Sequence, residues 1–307
     1  MPQRFLLAPL ALATILWGAN FNLAKHVLDE VPPLAAAAAR FDIAALVMLL
    51  ICAARGERFG PWRHLRVYAG LGLIGIAAFN VLFFLGMRST SAVNGALIMG
   101  ANPLLTALLA HFVAGASLRA RQWLAMPIAL AGVAFTVTGA AAQWHVAFGD
   151  LLMIGGSLCW ALYNVCVGLY LPRDVSGLAN TTGVMTAGAV ALTAVAIAAG
   201  DPVQAPHAGA LGSLLFMSLG GSVLAYLFWN AGVSRIGAAR AAVFMNLVPV
   251  SSMAIAALEG QAPSAAQALG AVIVVGALLM ASWPSQASLA PAAQAQAEPR
   301  ALRDCNA

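Results

Sequence analysis

Charge is the scarcest property of this sequence. Fifteen Lys or Arg and ten Asp or Glu among 307 residues make 8% of the chain, against about 25% in a soluble domain. So little polar surface cannot coat a water-facing body of this size. The 62% hydrophobic content and mean hydropathy of +0.89 point to lipid as the solvent, and exclude disordered and collagen-like classes. Cysteine is scarce as well. Cys52, Cys159, Cys166 and Cys305 show no C-x-x-C or zinc spacing, which excludes a disulfide framework and gives no metal or redox signal.

Other absences narrow the function. The net charge of +5 comes from basic residues scattered singly between apolar runs, so no patch exists for nucleic acid. An intramembrane enzyme needs a compact cluster of His, Asp, Glu or Cys at one depth, and the sequence lacks one. Gly70-Leu71-Gly72-Leu73-Ile74-Gly75 fits G-x-G-x-x-G, but no strand precedes it, and glycines inside an apolar run serve close helix packing. No Walker loop is present, which argues against ATP-driven transport by this chain alone. Neither enzymatic activity nor any cofactor or metal is expected.

What the chain does have is length in apolar runs. A membrane-spanning helix needs about 20 mostly apolar residues, and ten such runs fall near 6–25, 33–53, 67–87, 92–114, 123–142, 149–171, 177–199, 210–232, 239–258 and 266–284. The first imitates a signal peptide around Arg4 and Ala11-Leu12-Ala13, but its hydrophobicity continues to Ala24, too long for an h-region. It reads as a retained span. Residues 285–307, rich in Ala, Pro and Gln, read as a disordered tail. Asn180-Thr181-Thr182 fits a glycosylation sequon at the start of span 7, on the face where it would not be used.

Basic residues orient the spans. Ten spans put both termini on one side, with Arg4, Arg55, Arg58, Arg63, Arg66, Arg119, Arg121, Arg173, Arg235, Arg240, Arg300 and Arg303. Only Lys25, Arg88 and Arg40 fall on or towards the other. Twelve against three makes the termini cytoplasmic.

The chain also repeats itself at about 145 residues. Leu16-Trp17-Gly18-Ala19-Asn20 aligns with Cys159-Trp160-Ala161-Leu162-Tyr163, Met99 and Pro103 with Met245 and Pro249, and Gln122 with Gln267. Five spans per repeat is odd, so the halves, 1–142 and 149–284, cross the bilayer in opposite senses. The expected fold is therefore all-α: ten transmembrane helices in two inverted five-helix repeats, with a substrate site between them.

At these residues the sequence resembles the EamA-type drug/metabolite transporters of bacterial inner membranes. Trp17-Gly18-Ala19-Asn20-Phe21 resembles the family's W-G-x-N-F opening. Pro32-Pro33 with Arg40-Phe41 resembles the start of its second helix, and Ala242 to Pro249 with Gln267 its second-repeat signature. The resemblance covers roughly 6–284. It implies a ten-span inner-membrane carrier, mostly exporting amino acids and related metabolites, and a structural role for Arg40.

Polar groups in hydrocarbon are costly and mark pathways or helix contacts. The expected substrate-binding set is Trp17, Asn20, Asn80, Met99, Asn102, Trp160, Tyr163, Asn164, Tyr226 and Asn246. Pairs three or four apart, such as Trp17 with Asn20, Met99 with Asn102, and Trp160 with Tyr163 and Asn164, share a helix face. One aromatic and one amide suit a zwitterionic organic solute; against this, such amides often only bond across helices. Pro103 and Pro249 are matched interruptions and gating candidates, and Gly220-Gly221 is a flexible or close-packing point. Asp42, the sole mid-depth acid, is a candidate proton-coupling group, or else an acid satisfied by a neighbouring helix. Arg40 lies roughly 11 Å inside its span at 1.5 Å per residue, and could snorkel or cap carbonyls.

The functional expectation is a secondary carrier of small molecules in the bilayer, working by alternating access. Rival readings are a multidrug or nucleobase exporter and a non-transporting membrane partner. A homodimer is compatible with the sequence, with the monomer able to transport.

Overall fold

A computed structural model describes residues 4–57, 61–138, 147–200, 206–229 and 242–282. The tail expected over 285–307 and the extreme ends of several expected spans lie outside the described residues. The described residues are helical, with no strand among them, and trace ten rods. These are α1 (Arg4–Leu28), α2 (Pro33–Ala54), α3 (61–87), α4 (Ala92–Ala114), α5 (Ala120–Thr138), α6 (Phe148–Tyr170), α7 (Gly177–Ala199), α8 (Ala208–Trp229), α9 (242–258) and α10 (Ala265–Ser282). Six stretches are long and apolar enough to cross a bilayer: α2, Arg63–Met87 of α3, α4, α6, α7 and α8. Phe244–Leu258 and Ala265–Ala281 are apolar but shorter.

Helix boundaries follow local chemistry. The side chains of Ser91 and Ser176 cap α4 and α7 by accepting from the N–H groups of Asn94 and Ala179. Gly115 and Gly200 end α4 and α7 in the left-handed conformation (φ 66° and 68°). Helix α3 starts at Pro61, six residues before the expected span. Its first turns carry Arg63, His64 and Arg66, which are helical but polar, so hydropathy stops short of them.

Two rods carry an irregularity that hydropathy cannot see. In α3, residues Leu73–Ala78 form a π-helical segment, as do Met217–Leu224 in α8. The Phe79 N–H reaches the Ile74 carbonyl and the Ala225 N–H the Gly220 carbonyl, both five residues back. Such π turns widen the helix and re-aim side chains, and they concentrate at functional sites.

Helix pairing is symmetric under exchange of the halves. Helix α1 packs on α9 as α6 packs on α4; α3 packs on α6 as α8 packs on α1; α3 packs on α7 as α8 packs on α2. Helices α2 with α7, and α5 with α10, pair across the same relation. Local details repeat too. Gln122 Oε1 accepts from the Arg119 N–H and Gln267 Oε1 from the Ser264 N–H, both at 2.9 Å, at the starts of α5 and α10. Glycines permit the closest approaches. A Cβ on Gly18 would stand 2.0 Å from Ser251 Oγ, and one on Gly72 would stand 2.7 Å from the Gly188 nitrogen. Of the G-x-G-x-x-G run, Gly72 and Gly75 meet neighbouring helices, whereas Gly70 faces open space.

Candidate functional site

A cavity lies where the two halves meet, bounded by α1, α2, α3 and α4 from one and α6, α8 and α9 from the other. It contains about 580 Å³ of atom-free space, counted out to its open side. Its walls are aromatic: Trp17 meets Tyr226 edge-on at 5.8 Å, Tyr226 meets Trp160 at 6.2 Å, and Trp160 tilts against Phe79 at 5.2 Å. Phe21, Phe41 and Phe83 continue the lining, with Met99, Met245 and Val248 opposite.

The polar lining consists of few groups. Asn20 is 4% exposed, and its Oδ1 has no hydrogen-bond partner among the described residues. Arg40 is 5% exposed. Its Nε donates to Ser222 Oγ at 3.0 Å, and Nη1 makes a long bond of 3.5 Å to Asn80 Oδ1. Asn80 in turn donates from Nδ2 to the Ile76 carbonyl at 2.8 Å. Arg40 thus touches one π segment through Ser222 and the other through Asn80. Trp17 Nε1 donates to the Gly221 carbonyl at 3.0 Å, again inside a π segment.

Of the ten expected site residues, the structure gathers Trp17, Asn20, Met99, Trp160 and Tyr226 around the cavity. Asn80 stands one bond behind Arg40, fully buried. Tyr163 tilts against Trp160 at 5.2 Å and fills the space above Gly75, behind the aromatic wall. Asn164 on α6 is half-buried and outside the lining. Asn246 is buried at the join between the 3-10 turn Ala242–Asn246 and the helix Leu247–Leu258, next to the lining residue Met245. Asn102 does not share the cavity with Met99. The helix of α4 breaks at Ala101, and the break turns Asn102 towards α6, where Nδ2 donates to the Ser157 carbonyl at 2.7 Å and to Ser157 Oγ at 3.1 Å. The three-residue spacing presumes an unbroken helix. Asn22 does the same work on the partner pair, donating to Ser252 between α1 and α9.

The prolines sit just after helix breaks. Pro103 occupies the first turn of Asn102–Ala114, where a missing N–H loses nothing. Pro249 is the third residue of Leu247–Leu258, after the 3-10 turn. Asp42 stands away from the cavity. It is exposed on α2, and Thr193 Oγ1 of α7 lies 2.9 and 2.8 Å from its two oxygens.

Sequence reasoning overlooked Phe21, Phe41, Phe79, Phe83, Met245 and Val248 as lining. Two signals could have found some of them. Phe79 and Phe83 are one helical turn apart beside Asn80, and Met245 is the repeat partner of Met99.

Polar ties close the ends of the bundle. Where α1 gives way to α2, Glu30 Oε2 accepts from the His207 N–H at 2.6 Å, and His26 lies 3.8 Å from Glu259. Gln267 Nε2 donates to Asn94 Oδ1 at 2.9 Å, and Thr90 bonds Asp150. Lys25 Nζ donates to the last carbonyl of α3, that of Met87, at 2.6 Å. At the opposite end Arg63 and His64 each come within 3.3 Å of Asp174 Oδ2. A hydrogen bond from its own backbone, then the bond and charge of His64 and the charge of Arg63, hold the Asp174 carboxyl below the ordinary range. Tyr68 OH donates to Asn180 Oδ1 at 3.0 Å beside it.

An all-helical body with membrane-length apolar helices, paired halves and an aromatic cavity between them defines a class: the polytopic membrane transporters. The comparisons carry this further. The EamA-like transporter family model matches residues 5–138 and again 147–283, and the chain belongs to that family. It is 41% identical over 277 residues to the uncharacterized transporter YyaM of Bacillus subtilis, covering 88% of this chain and 90% of that one. The uncharacterized inner membrane transporter YedA of Escherichia coli K12 is 24% identical over 91% of this chain and 93% of its own. A probable amino-acid metabolite efflux pump of Salmonella typhimurium is 26% identical over 87% and 91%. One solved crystal structure shares the fold, with a TM-score of 0.68 at 23% identity over 89% of this chain and 94% of that one.

Proposed function

We propose that this chain is a secondary carrier that exports amino acids or related small metabolites across a bacterial inner membrane by alternating access. The observation that carries the reading is the cavity itself. Both halves line it, apolar aromatic faces dominate it, and one amide, one guanidinium and the Tyr226 phenol supply its polarity. A zwitterion with an apolar side chain matches that lining, because its charged end needs hydrogen bonds and its remainder needs ring faces. A lipophilic drug without an acceptor would fill the cavity and leave the buried guanidinium unpaired.

In this reading the halves are inverted five-helix repeats, both termini are cytoplasmic, and the monomer is the transporting unit. The exchange-symmetric helix pairing supports the repeat, and the basic-residue bias supports the orientation. The breaks before Pro103 and Pro249 serve as hinges that let α4 and α9 rock against the cavity. Driving force comes from ion, proton or substrate gradients. Flux of a panel of labelled amino acids and metabolites through proteoliposomes holding only this protein tests the reading. Transport of one or more panel members is expected; no flux for any of them rejects the carrier.

A further inference from the structure

Among the described residues, Arg40 is a buried cation without a counter-ion. No Asp or Glu among the described residues lies within ion-pair distance of it; its two hydrogen-bond partners, Ser222 and Asn80, are neutral, and the Phe41 ring, 5.0 Å from its guanidinium carbon, offers a cation–π contact but no charge. The nearest acid on its own helix, Asp42, is two residues away, exposed, and engaged with Thr193. A guanidinium has five N–H donors. One goes to Ser222 and one, weakly, to Asn80, so among the described residues Nη2 and the second proton of Nη1 make no hydrogen bond. A buried charge left in this state is expensive unless something pairs with it, and the side that remains open is the cavity, which Arg40 lines.

The same cavity holds a second unfinished group. Asn20 Oδ1, an acceptor, has no donor among the described residues although the side chain is buried. Free donors on Arg40 and a free acceptor on Asn20 are the complement of an α-amino acid, whose carboxylate accepts and whose ammonium donates. The faces of Trp17 and Trp160 add cation–π attraction for the ammonium. Position also matters. Because Arg40 is held by both π segments, a ligand pulling on its guanidinium pulls on the α3 and α8 walls together.

We infer that Arg40 is the carboxylate-binding residue of the cavity, with Asn20 Oδ1 receiving the ammonium of a zwitterionic substrate that has a large apolar side chain. This rests on reading the cavity as the substrate site. It gives Arg40 a ligand in place of a purely structural duty. The geometry suits the role, since a guanidinium fork meets a carboxylate with two parallel hydrogen bonds and an ammonium cannot.

The test compares L-phenylalanine, L-leucine and L-methionine with their primary amides, which keep the ammonium and side chain but lack the carboxylate. Binding is read as thermal stabilisation of purified protein in detergent, and transport as proteoliposome flux. Wild-type protein should prefer at least one acid over its amide by about ten- to a hundredfold in half-saturating concentration, the range of a charge-assisted bond. Arg40→Gln should abolish that preference, and Arg40→Lys should retain part of it. An arginine that only braces the fold would weaken acid and amide equally. Equal binding of acid and amide by the wild type, no stabilisation by either, or an acid preference that survives in R40Q, overturns the inference. The wild-type comparison decides even if R40Q fails to fold. Acid-selective stabilisation without any flux rejects the carrier while leaving the carboxylate site in place.

Discussion

Asn20 lies so close over Gly221 that a Cβ on the glycine would stand 2.3 Å from both heteroatoms of the asparagine amide. Tyr163, the repeat partner of Asn20, lies over Gly75 in the same way, its ring 2.2 Å from where a Cβ would be. Both glycines belong to π segments. In each half, then, the first helix presses one side chain into a glycine in the third helix of the other half. The two walls of the cavity are built by one device used twice, once with an amide and once with a ring.

Gly221→Ala must displace either Asn20 or the π segment of α8. Overpacking of this kind destabilises by about 1–3 kcal/mol, and here the displaced group is part of the proposed binding site. Flux should fall well beyond what the loss of folded protein explains. Gly75→Ala should destabilise to a similar degree by pushing on Tyr163. Gly209→Ala, where nothing lies within 4 Å, is the control and should not lower the melting temperature, since Ala is favoured over Gly in an uncrowded helix. If G221A transports as wild type does, Asn20 has no role at the substrate.

Trp17 contributes a ring face and one hydrogen bond. Trp17→Phe keeps a ring but removes the donor to the Gly221 carbonyl, leaving that carbonyl to its π segment alone. A loss of about 0.5–1.5 kcal/mol in stability is expected for one such bond, measured by melting in detergent. Trp17→Ala also removes the aromatic contacts with Tyr226 and Trp229 and should cost more in both stability and substrate affinity. Equal effects of the two substitutions would show that the ring face itself is dispensable.

Much of this was legible in the chain. Apolar runs located the helices, a repeat of about 145 residues anticipated their exchange-symmetric pairing, and Trp17, Asn20, Met99, Trp160 and Tyr226 are five of the twelve residues that line the cavity. The π segments were not legible, because a π turn depends on tertiary partners such as Tyr163 at Gly75 and carries no hydropathy signal. Asn102 went astray for a related reason: the break at Ala101 invalidates the face arithmetic on which its pairing with Met99 rested. Arg40 was visible as an intramembrane charge, but whether it found an acid could be learned only in three dimensions.

Asn102 is argued to be glue between α4 and α6, and its substitution should separate stability from transport. Asn102→Leu removes two hydrogen bonds to Ser157 and strands Thr106, which donates to Asn102 Oδ1 at 3.0 Å. Bonds of this kind contribute about 1 kcal/mol in membrane proteins. The variant should melt earlier yet keep the substrate half-saturation of the wild type. A changed half-saturation at unchanged stability would return Asn102 to the binding set.

Asp174 gives the tie between α3 and the α6–α7 loop its pH dependence. Because its folded-state pKa is depressed by its own backbone, by His64 and by Arg63, its stabilising contribution is fully present above the ordinary carboxylate pKa. That contribution is lost as pH falls through the lower, folded value. Asp174→Asn removes the charge at every pH. Its melting temperature should lie below that of the wild type at neutral pH and converge with it in acid. Curves that stay parallel down to strongly acidic pH would assign the tie no electrostatic weight.

Proton coupling through Asp42 predicts that Asp42→Asn abolishes the response of flux to a pH gradient. The structure argues for the opposite outcome. A coupling carboxylate has to exchange its proton in step with substrate occupancy, and therefore needs contact with the cavity or with a group that moves when the cavity fills. Asp42 lines no part of the cavity, is exposed on α2, and is bonded to Thr193 of α7. An asparagine there keeps an oxygen to accept from Thr193, so helix pairing survives the change. Equal gradient responses of wild type and D42N are expected in matched proteoliposomes. A response lost in D42N but kept in Thr193→Val, which breaks the same hydrogen bond without removing the acid, would restore Asp42 as the coupling group.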